Sequence, residues 1–278
     1  MPIFFTSLNS GSNGNCYYVG NGNDAVLIDV GISCREVERR MHRLGLNLGN
    51  VRAILVSHEH GDHITGIPAL SKKYRLPVYI TQHTFRSASI PIEPGLMCPF
   101  KANEVIRFGN LTVTPFVKFH DAADPHSFVV EQDGVRVGIF TDIGIACKQV
   151  VRYFRLCDAV FLEANYCEDM LQKGNYPYFL KERIRGGNGH LSNAQALELF
   201  NKHKGKQLRR LILSHLSKNN NCPELVDRLF NEHAGEVSIV VASRYKETEL
   251  YCIEEAIQGV NEMVDHRQPV QMVQLSLF

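Results

Sequence analysis

Residues 55–67 read LVSHEHGDHITGI, and six consecutive positions, 58–63, hold three histidines and an aspartate. The run AILVS (53–57) before them is apolar, and its length suits a buried strand. Alternate residues of an extended segment point the same way, so His58 and His60 can grip one metal ion. Asp62 and His63 fall where the chain turns into a helix, and they can face a second metal. Imidazole with carboxylate suits zinc or manganese rather than calcium. A chance surface cluster is a poor account, because ionisable groups at the end of a buried strand are unfavourable without a partner.

Two metals need further ligands, and the sequence offers them at other strand ends. His120 closes TPFVKFH (114–120), Asp142 closes VGIFTD (137–142) and His215 closes LILSH (211–215). Singly, each reads as an ordinary strand-end residue. Together they complete two ligand sets: His58, His60 and His120 on one metal, Asp62, His63 and His215 on the other. Asp142 can bridge, since a carboxylate has two oxygens. Asp29 ends AVLID (25–29) and reads either as a ligand or as a residue that orients a histidine.

The chain around these residues is of ordinary globular composition. Its 278 residues are 44% hydrophobic and 21% charged, with a net charge of +1. No global field draws it to nucleic acid or membrane, so a DNA-binding surface has to be local. The basic stretches 34–43, 180–185 and 201–210 are candidates, each equally readable as a solvated helix face. The eight cysteines form no Cys-x-x-Cys pair, which argues against a structural zinc ribbon. No signal peptide or membrane span is expected, and the reading is a cytoplasmic protein with reduced thiols.

Strand-like runs recur at 16–20, 25–29, 53–57, 76–81, 111–119, 127–132, 135–142, 159–164, 210–215 and 236–243. Helical patterns begin at Ser33, Ser192 and Pro223, and Asp133-Gly134 reads as a hairpin turn. The strands are expected in two groups, dividing near residue 142. From Glu254 onward the regular signal fades. The expected organisation is a catalytic domain over 1–253 and a linker with a tail over 254–278.

HEHGDH with Asp29, His120, Asp142 and His215 resembles the metallo-β-lactamase fold. SLNSGSNGNCYYVG, LIDVGIS, FHDAADP, GNGHLSN and SHLSKNN resemble, more narrowly, its WalJ/YycJ exonuclease group. The resemblance runs from about Ser7 to about Leu250. It implies an α/β, four-layer αββα sandwich with the site at one edge. It also implies two divalent metal ions and a DNA substrate, cleaved 5′→3′. His126 is a departure from the family pattern.

In related phosphodiesterases of this fold, an acidic residue and a His-containing loop supply the leaving-group proton. The matching positions are Glu163, in LEANY, and His190, in GHLSN. Glu163 would hold the His190 ring and keep it protonated; the bland reading is that His190 caps the helix that follows. The glycine-rich loop NSGSNGN (9–15) offers Ser12 and Asn15 as substrate contacts, and Arg244 is a further candidate for phosphate. Gln274, Leu275, Ser276, Leu277 and Phe278 resemble a bacterial clamp-binding peptide, implying the β sliding clamp as a partner.

The sequence therefore reads as a dinuclear metal-dependent phosphodiesterase, in first place a DNA exonuclease of replication or repair. A small-molecule phosphodiester or thioester hydrolase is the second reading, and a non-catalytic clamp-associated adaptor the third.

Overall fold

The computed structural model describes residues 1–254; the expected linker beyond Glu254 and the peptide 274–278 lie outside the described residues. Among them, the strands form two seven-stranded sheets. The first holds β1 (Ile3–Asn9), β2 (Cys16–Gly20), β3 (Ala25–Ile28), β4 (Val51–Leu55), β5 (Val78–Tyr79) and β6 (Met97–Cys98). The second holds β7 (Ile106–Phe108), β8 (Leu111–Val117), β9 (His126–Gln132), β10 (Val135–Phe140), β11 (Ala159–Glu163), β12 (Arg210–Ser214) and β13 (Ser238–Val241). β14 (Tyr251–Ile253) returns to the first sheet and pairs antiparallel with β1. The spatial orders are β14-β1-β2-β3-β4-β5-β6 and β13-β12-β11-β10-β9-β8-β7.

The helices are α1 (Cys34–Arg43), α2 (Gly61–Ile64), α3 (Ile67–Tyr74), α4 (Gln82–Ala88), α5 (Lys148–Phe154), α6 (Glu168–Lys173), α7 (Tyr178–Arg185), α8 (Asn193–His203) and α9 (Pro223–Asn231). No helix among the described residues is long and apolar enough to cross a membrane.

Side-chain alternation explains the layers. Val26 and Ile28 of β3 meet Phe161 of β11 and Ile212 of β12 between the sheets. Ala25 and Leu27 point the other way, onto Val37 and Met41 of α1 and Leu70 of α3. In β11, Val160 and Leu162 face Phe154 of α5, Leu199 of α8 and Phe230 of α9. Both faces of each central strand are thus buried, which is why these strands read as continuous apolar runs. The result is the four-layer αββα sandwich anticipated above.

The expected division of strands near residue 142 is corrected: the sheets divide between β6 and β7. Asp133 (φ 49°) and Gly134 (φ 81°) make a tight turn with two left-handed residues, the geometry that closes a two-residue hairpin. That hairpin, β9–β10, is locked to the second sheet because β10 pairs in parallel with β11, Val137 opposite Ala159 through Phe140 opposite Leu162. Strands β3 to β6 run parallel, as do β10 to β13. β8, two antiparallel pairings from β10, points the same way as β10. The carboxyl ends of β4, β8, β10, β11 and β12 are the ones that carry the ligand candidates, and that is where open α/β sheets place ligands.

Candidate metal centre

The chain leaves β4 extended, so His58 and His60 share a side. His60 has extended backbone (φ −62°, ψ 145°) and precedes the short helix α2, which carries Asp62 and His63. Two glycines permit this path. Gly31 lies so close to the Asp62 carbonyl, and Gly66 to that of Ile32, that a Cβ at either would overlap backbone. The Asn15 amide donates to the same Asp62 carbonyl at 2.7 Å. At the other strand ends, Asp29 (φ 59°), Asp142 (φ 54°) and His215 (φ 56°) are all left-handed. Each such non-glycine residue costs about 1–3 kcal/mol, and here each swings a functional side chain out of the strand direction.

The imidazoles converge. His58 Nε2 lies 3.0 Å and His120 Nε2 3.3 Å from His60 Nδ1. His63 Nε2 is 3.2 Å from Asp142 Oδ2 and 3.6 Å from Asp62 Oδ2. His215 Nε2 is 3.4 Å from Asp142 Oδ1, and His120 Nε2 is 3.8 Å from the same oxygen. Two sets of three that could each hold a metal ion gather around Asp142: His58, His60 and His120, and Asp62, His63 and His215.

The far side of each ring fixes which nitrogen faces inward. His120 Nδ1–H donates to the Gly189 carbonyl at 3.0 Å. His63 Nδ1–H donates to Asp29 Oδ2 at 2.7 Å. Asp29 also accepts from the Ser57 amide and hydroxyl, both at 2.7 Å, and Ser57 Oγ lies 2.9 Å from His58 Nδ1. His215 Nδ1 meets Asn15 Oδ1 at 3.2 Å. Asp29 thus occupies the orienting position of the two open to it at sequence level.

Residues with a metal's needs are left unmet. Asp142 Oδ2 is buried and makes no hydrogen bond, although His63 Nε2 is adjacent. Two electron-rich atoms that close repel unless a cation lies between them. Zinc–nitrogen bonds of about 2.0–2.1 Å in a tetrahedron set ligand atoms about 3.3 Å apart, the spacing found here. Charge gives the same answer. Burial pushes the His63 imidazole down, but Asp142, Asp62 and Asp29 outweigh it and hold the ring well above its usual range. The proton it then carries stands in for a cation. His58 and His215 are pushed down by burial, and His120 to about 3. Those rings are lone-pair donors at neutral pH. The set fits divalent metal.

At the rim, His190 Nδ1 lies 2.7 Å from Glu163 Oε1, and Glu163 Oε2 accepts from the amides of Ile143 (2.8 Å) and Leu191 (3.1 Å). Burial lowers the affinity of His190 for its proton, but Glu163 and Asp142 reverse this and raise it to about 9. The ring stacks on His215 at 5.4 Å between centroids. It does not cap α8, which Ser192 caps with a reciprocal bond to Gln195. A cleft of about 240 Å³ opens here, lined by His60, Asp62, Asp142, His190 and His215 and, on its outer wall, by Arg183.

Ser12 lines the cleft, whereas Asn15 is fully buried beneath it. Asn15 Nδ2 lies 3.0 Å from His63 Nε2 and 3.2 Å from Asp62 Oδ2, so it braces the candidate ligands. Arg244 packs over Gly11 and lines an adjoining cavity with Lys218; its Nη2 has no hydrogen-bond partner. His126 lies apart, buried against Phe100 with Nδ1–H donating to the Asp124 carbonyl at 2.9 Å. Sequence reading missed Ser57, Asp121 and Lys118. Only Ser57 had a usable signal, a hydroxyl immediately before His58. Lys118 is buried, with Nζ donating to the Thr141 carbonyl at 2.7 Å beside Asp142.

Comparison with known proteins adds independent findings. The β-lactamase superfamily domain matches residues 24–216. Exodeoxyribonuclease YycJ of Bacillus anthracis is 33% identical over 230 residues, 81% of this chain and 86% of that protein. Exodeoxyribonuclease WalJ of Streptococcus pneumoniae is 27% identical over 247 residues, 87% of this chain and 92% of that protein. The metallo-β-lactamase fold protein YhfI of Bacillus subtilis superposes with a TM-score of 0.69 at 15% identity, covering 90% of this chain and 99% of that one, which is a likeness of fold.

Proposed function

This chain belongs to the β-lactamase superfamily, in the group of YycJ and WalJ, and from that membership we propose that it is a metal-dependent phosphodiesterase acting on DNA as an exonuclease. The observation that carries the reading is the His190–Glu163 pair, 2.7 Å apart at the edge of the candidate ligands. Hydrolysis of a thioester expels a thiolate and has little need of a strong proton donor. Expulsion of a sugar alkoxide needs one. The relatives' names, exodeoxyribonuclease, point the same way.

Bound divalent metals, zinc or manganese, supply Lewis acidity: they bring the pKa of water toward neutrality and offset charge on phosphoryl oxygens. His58, His60 and His120 would hold one, Asp62, His63 and His215 the other, with Asp142 as a further ligand. This chain's own residues do the rest. Glu163 holds Nδ1–H of His190, so the proton for the departing oxygen sits on Nε2. Asp29 fixes the tautomer of His63. Ser12, facing the cleft, orients the phosphate, and Arg244 in the adjoining cavity takes a neighbouring one. Cleavage from the 5′ end and a role in replication or repair complete the proposal. The catalytic domain spans 1–253, and Gln274 to Phe278 serve as bait for the β sliding clamp, raising local concentration at DNA.

The test is cleavage of end-labelled single- and double-stranded DNA and RNA with zinc, manganese or magnesium. Stepwise loss of nucleotides from one DNA end is the expected result. Hydrolysis of thioesters or cyclic phosphodiesters with no polymer cleavage would overturn it, and a protein that takes up no metal would revive a non-catalytic role.

A further inference from the structure

Helix α7 buries none of its residues. Its first two side chains, Tyr178 and Phe179, are each 73% exposed. Adjacent aromatics held this far into water are unfavourable by themselves, and nothing in the catalytic site uses them. The helix nevertheless forms a wall of that site, since Leu180, Arg183 and Ile184 line the metal cleft. It is also tied to the candidate acid. The His190 amide donates to the Ile184 carbonyl at 2.9 Å, and Tyr176, just before the helix, accepts from Asn219 Nδ2 at 3.1 Å.

The charge on α7 is one-sided. Lys181, Arg183 and Arg185 stand against Glu182 alone. Lys181 Nζ donates to the Gln172 carbonyl at 2.7 Å. Arg183 pairs with Asp121 and Arg185 with Glu182, both at the surface, where such pairs contribute little and exchange readily for phosphate. A second copy of this chain docking symmetrically here would bring cation against cation. A polyanion with flat apolar faces matches both features. In a duplex those faces are stacked inside, so an aromatic platform takes unpaired bases.

We propose that Tyr178 and Phe179 form a stacking platform for the bases of a single-stranded nucleic acid whose scissile phosphate reaches the metal cleft beneath Arg183. The proposal rests on the phosphodiesterase reading and narrows its substrate to single strands or frayed ends.

Binding of a fluorescent thymidine oligomer with cleavage-resistant phosphorothioate linkages is measured for the metal-loaded full chain and for Tyr178→Ala/Phe179→Ala. The expected loss is about ten-fold or more, the scale of aromatic–base stacking, with a smaller effect on duplex of equal length. Phe179→Trp supplies a reporter, because the chain has no tryptophan. Its emission is expected to be quenched by the single strand and not by the duplex, with affinity retained. Hydrolysis of methyl p-nitrophenyl phosphate, which has no base to stack, controls for fold and metal and is expected to match the wild type. Unchanged single-strand affinity, equal losses on single and double strands, or conversion of a dimer to a monomer by the double substitution would each overturn the platform. A wild type that cleaves no phosphodiester with any metal would instead overturn the functional reading on which the platform depends.

Discussion

Glu163→Gln isolates the proton donor with minimal change of shape. Glu163 Oε2 accepts two backbone amides, and the glutamine carbonyl can keep both. The amide nitrogen then faces His190 Nδ1, where the carboxylate stood 2.7 Å away. It donates where the carboxylate accepted, so the doubly protonated ring loses its partner. His190 is raised to about 9 from an ordinary 6.5, with Glu163 the largest of the raising influences. A general acid works while it holds its proton. Wild-type kcat should therefore persist up to about pH 9, and the variant's should fall at a lower pH, because burial, which lowers the ring's affinity for its proton, is then no longer outweighed by Glu163. At pH 8 the wild-type ring is about nine-tenths protonated, whereas a ring at the ordinary 6.5 would be about three-hundredths protonated and a buried one less, so the loss in kcat is roughly 30-fold or more. Thermal stability follows the same sign. A folded-state pKa above the unfolded one stabilises fully below about 6.5 and loses that contribution as pH rises through about 9. The assay is kcat against pH on end-labelled oligonucleotide and on a nitrophenyl phosphodiester, whose leaving group needs no proton. An alkaline limb that does not move, or equal losses on the two substrates, would refute the role given to the pair.

Further outcomes follow from the same geometry. Asp29→Asn keeps a residue type that tolerates the left-handed backbone but removes the charge that orients His63; metal affinity by chelator competition should weaken about 10–100-fold. Asp62→Ala and His63→Ala should abolish cleavage with the circular dichroism of the fold intact, and near-normal turnover in a metal-analysed variant would contradict the ligand assignment. Gly31→Ala forces a methyl into the Asp62 carbonyl and should lower stability by about 1–3 kcal/mol in denaturant titrations, with metal content falling alongside. Deletion of 274–278 should leave oligonucleotide cleavage unchanged and remove binding to the β sliding clamp in surface plasmon resonance; retained clamp binding would assign that contact elsewhere.

The metal candidates were legible because their chemistry is local. His58, His60, Asp62 and His63 lie on one short path, and a strand that stops on a histidine or an aspartate is visible in a hydropathy pattern. The grouping of strands was not legible, because β7, β8, β9 and β10 precede residue 142 yet lie in one sheet with β11, joined to it through the pairing of β10. Pairing is decided by hydrogen bonds between segments, which composition does not carry. α7 illustrates a different limit. LKERIR reads as a solvated basic helix face, and α7 is one, with no residue buried. That its inner edge closes the metal cleft depends on where the GGNGH loop returns, a tertiary fact.

Asn15 carries the argument furthest. In a glycine-rich loop its residue type suggests a turn with amides facing phosphate. Instead the β1–β2 connection folds inward and the side chain meets all three members of one candidate metal set, Asp62, His63 and His215. The glycines around it supply what that path needs: Gly11 (φ 138°) and Gly14 (φ 146°) take backbone angles that other residues avoid. A loop that looks built for flexibility is thus held by its hydrogen bonds to the strand ends it joins. The same logic explains why Asp29, Asp142 and His215 tolerate left-handed backbone without being glycine. Each has its strain offset by the contacts of a side chain that only that backbone delivers to the centre. Sequence shows the residue type at such positions, and the packing of two sheets decides which way it points.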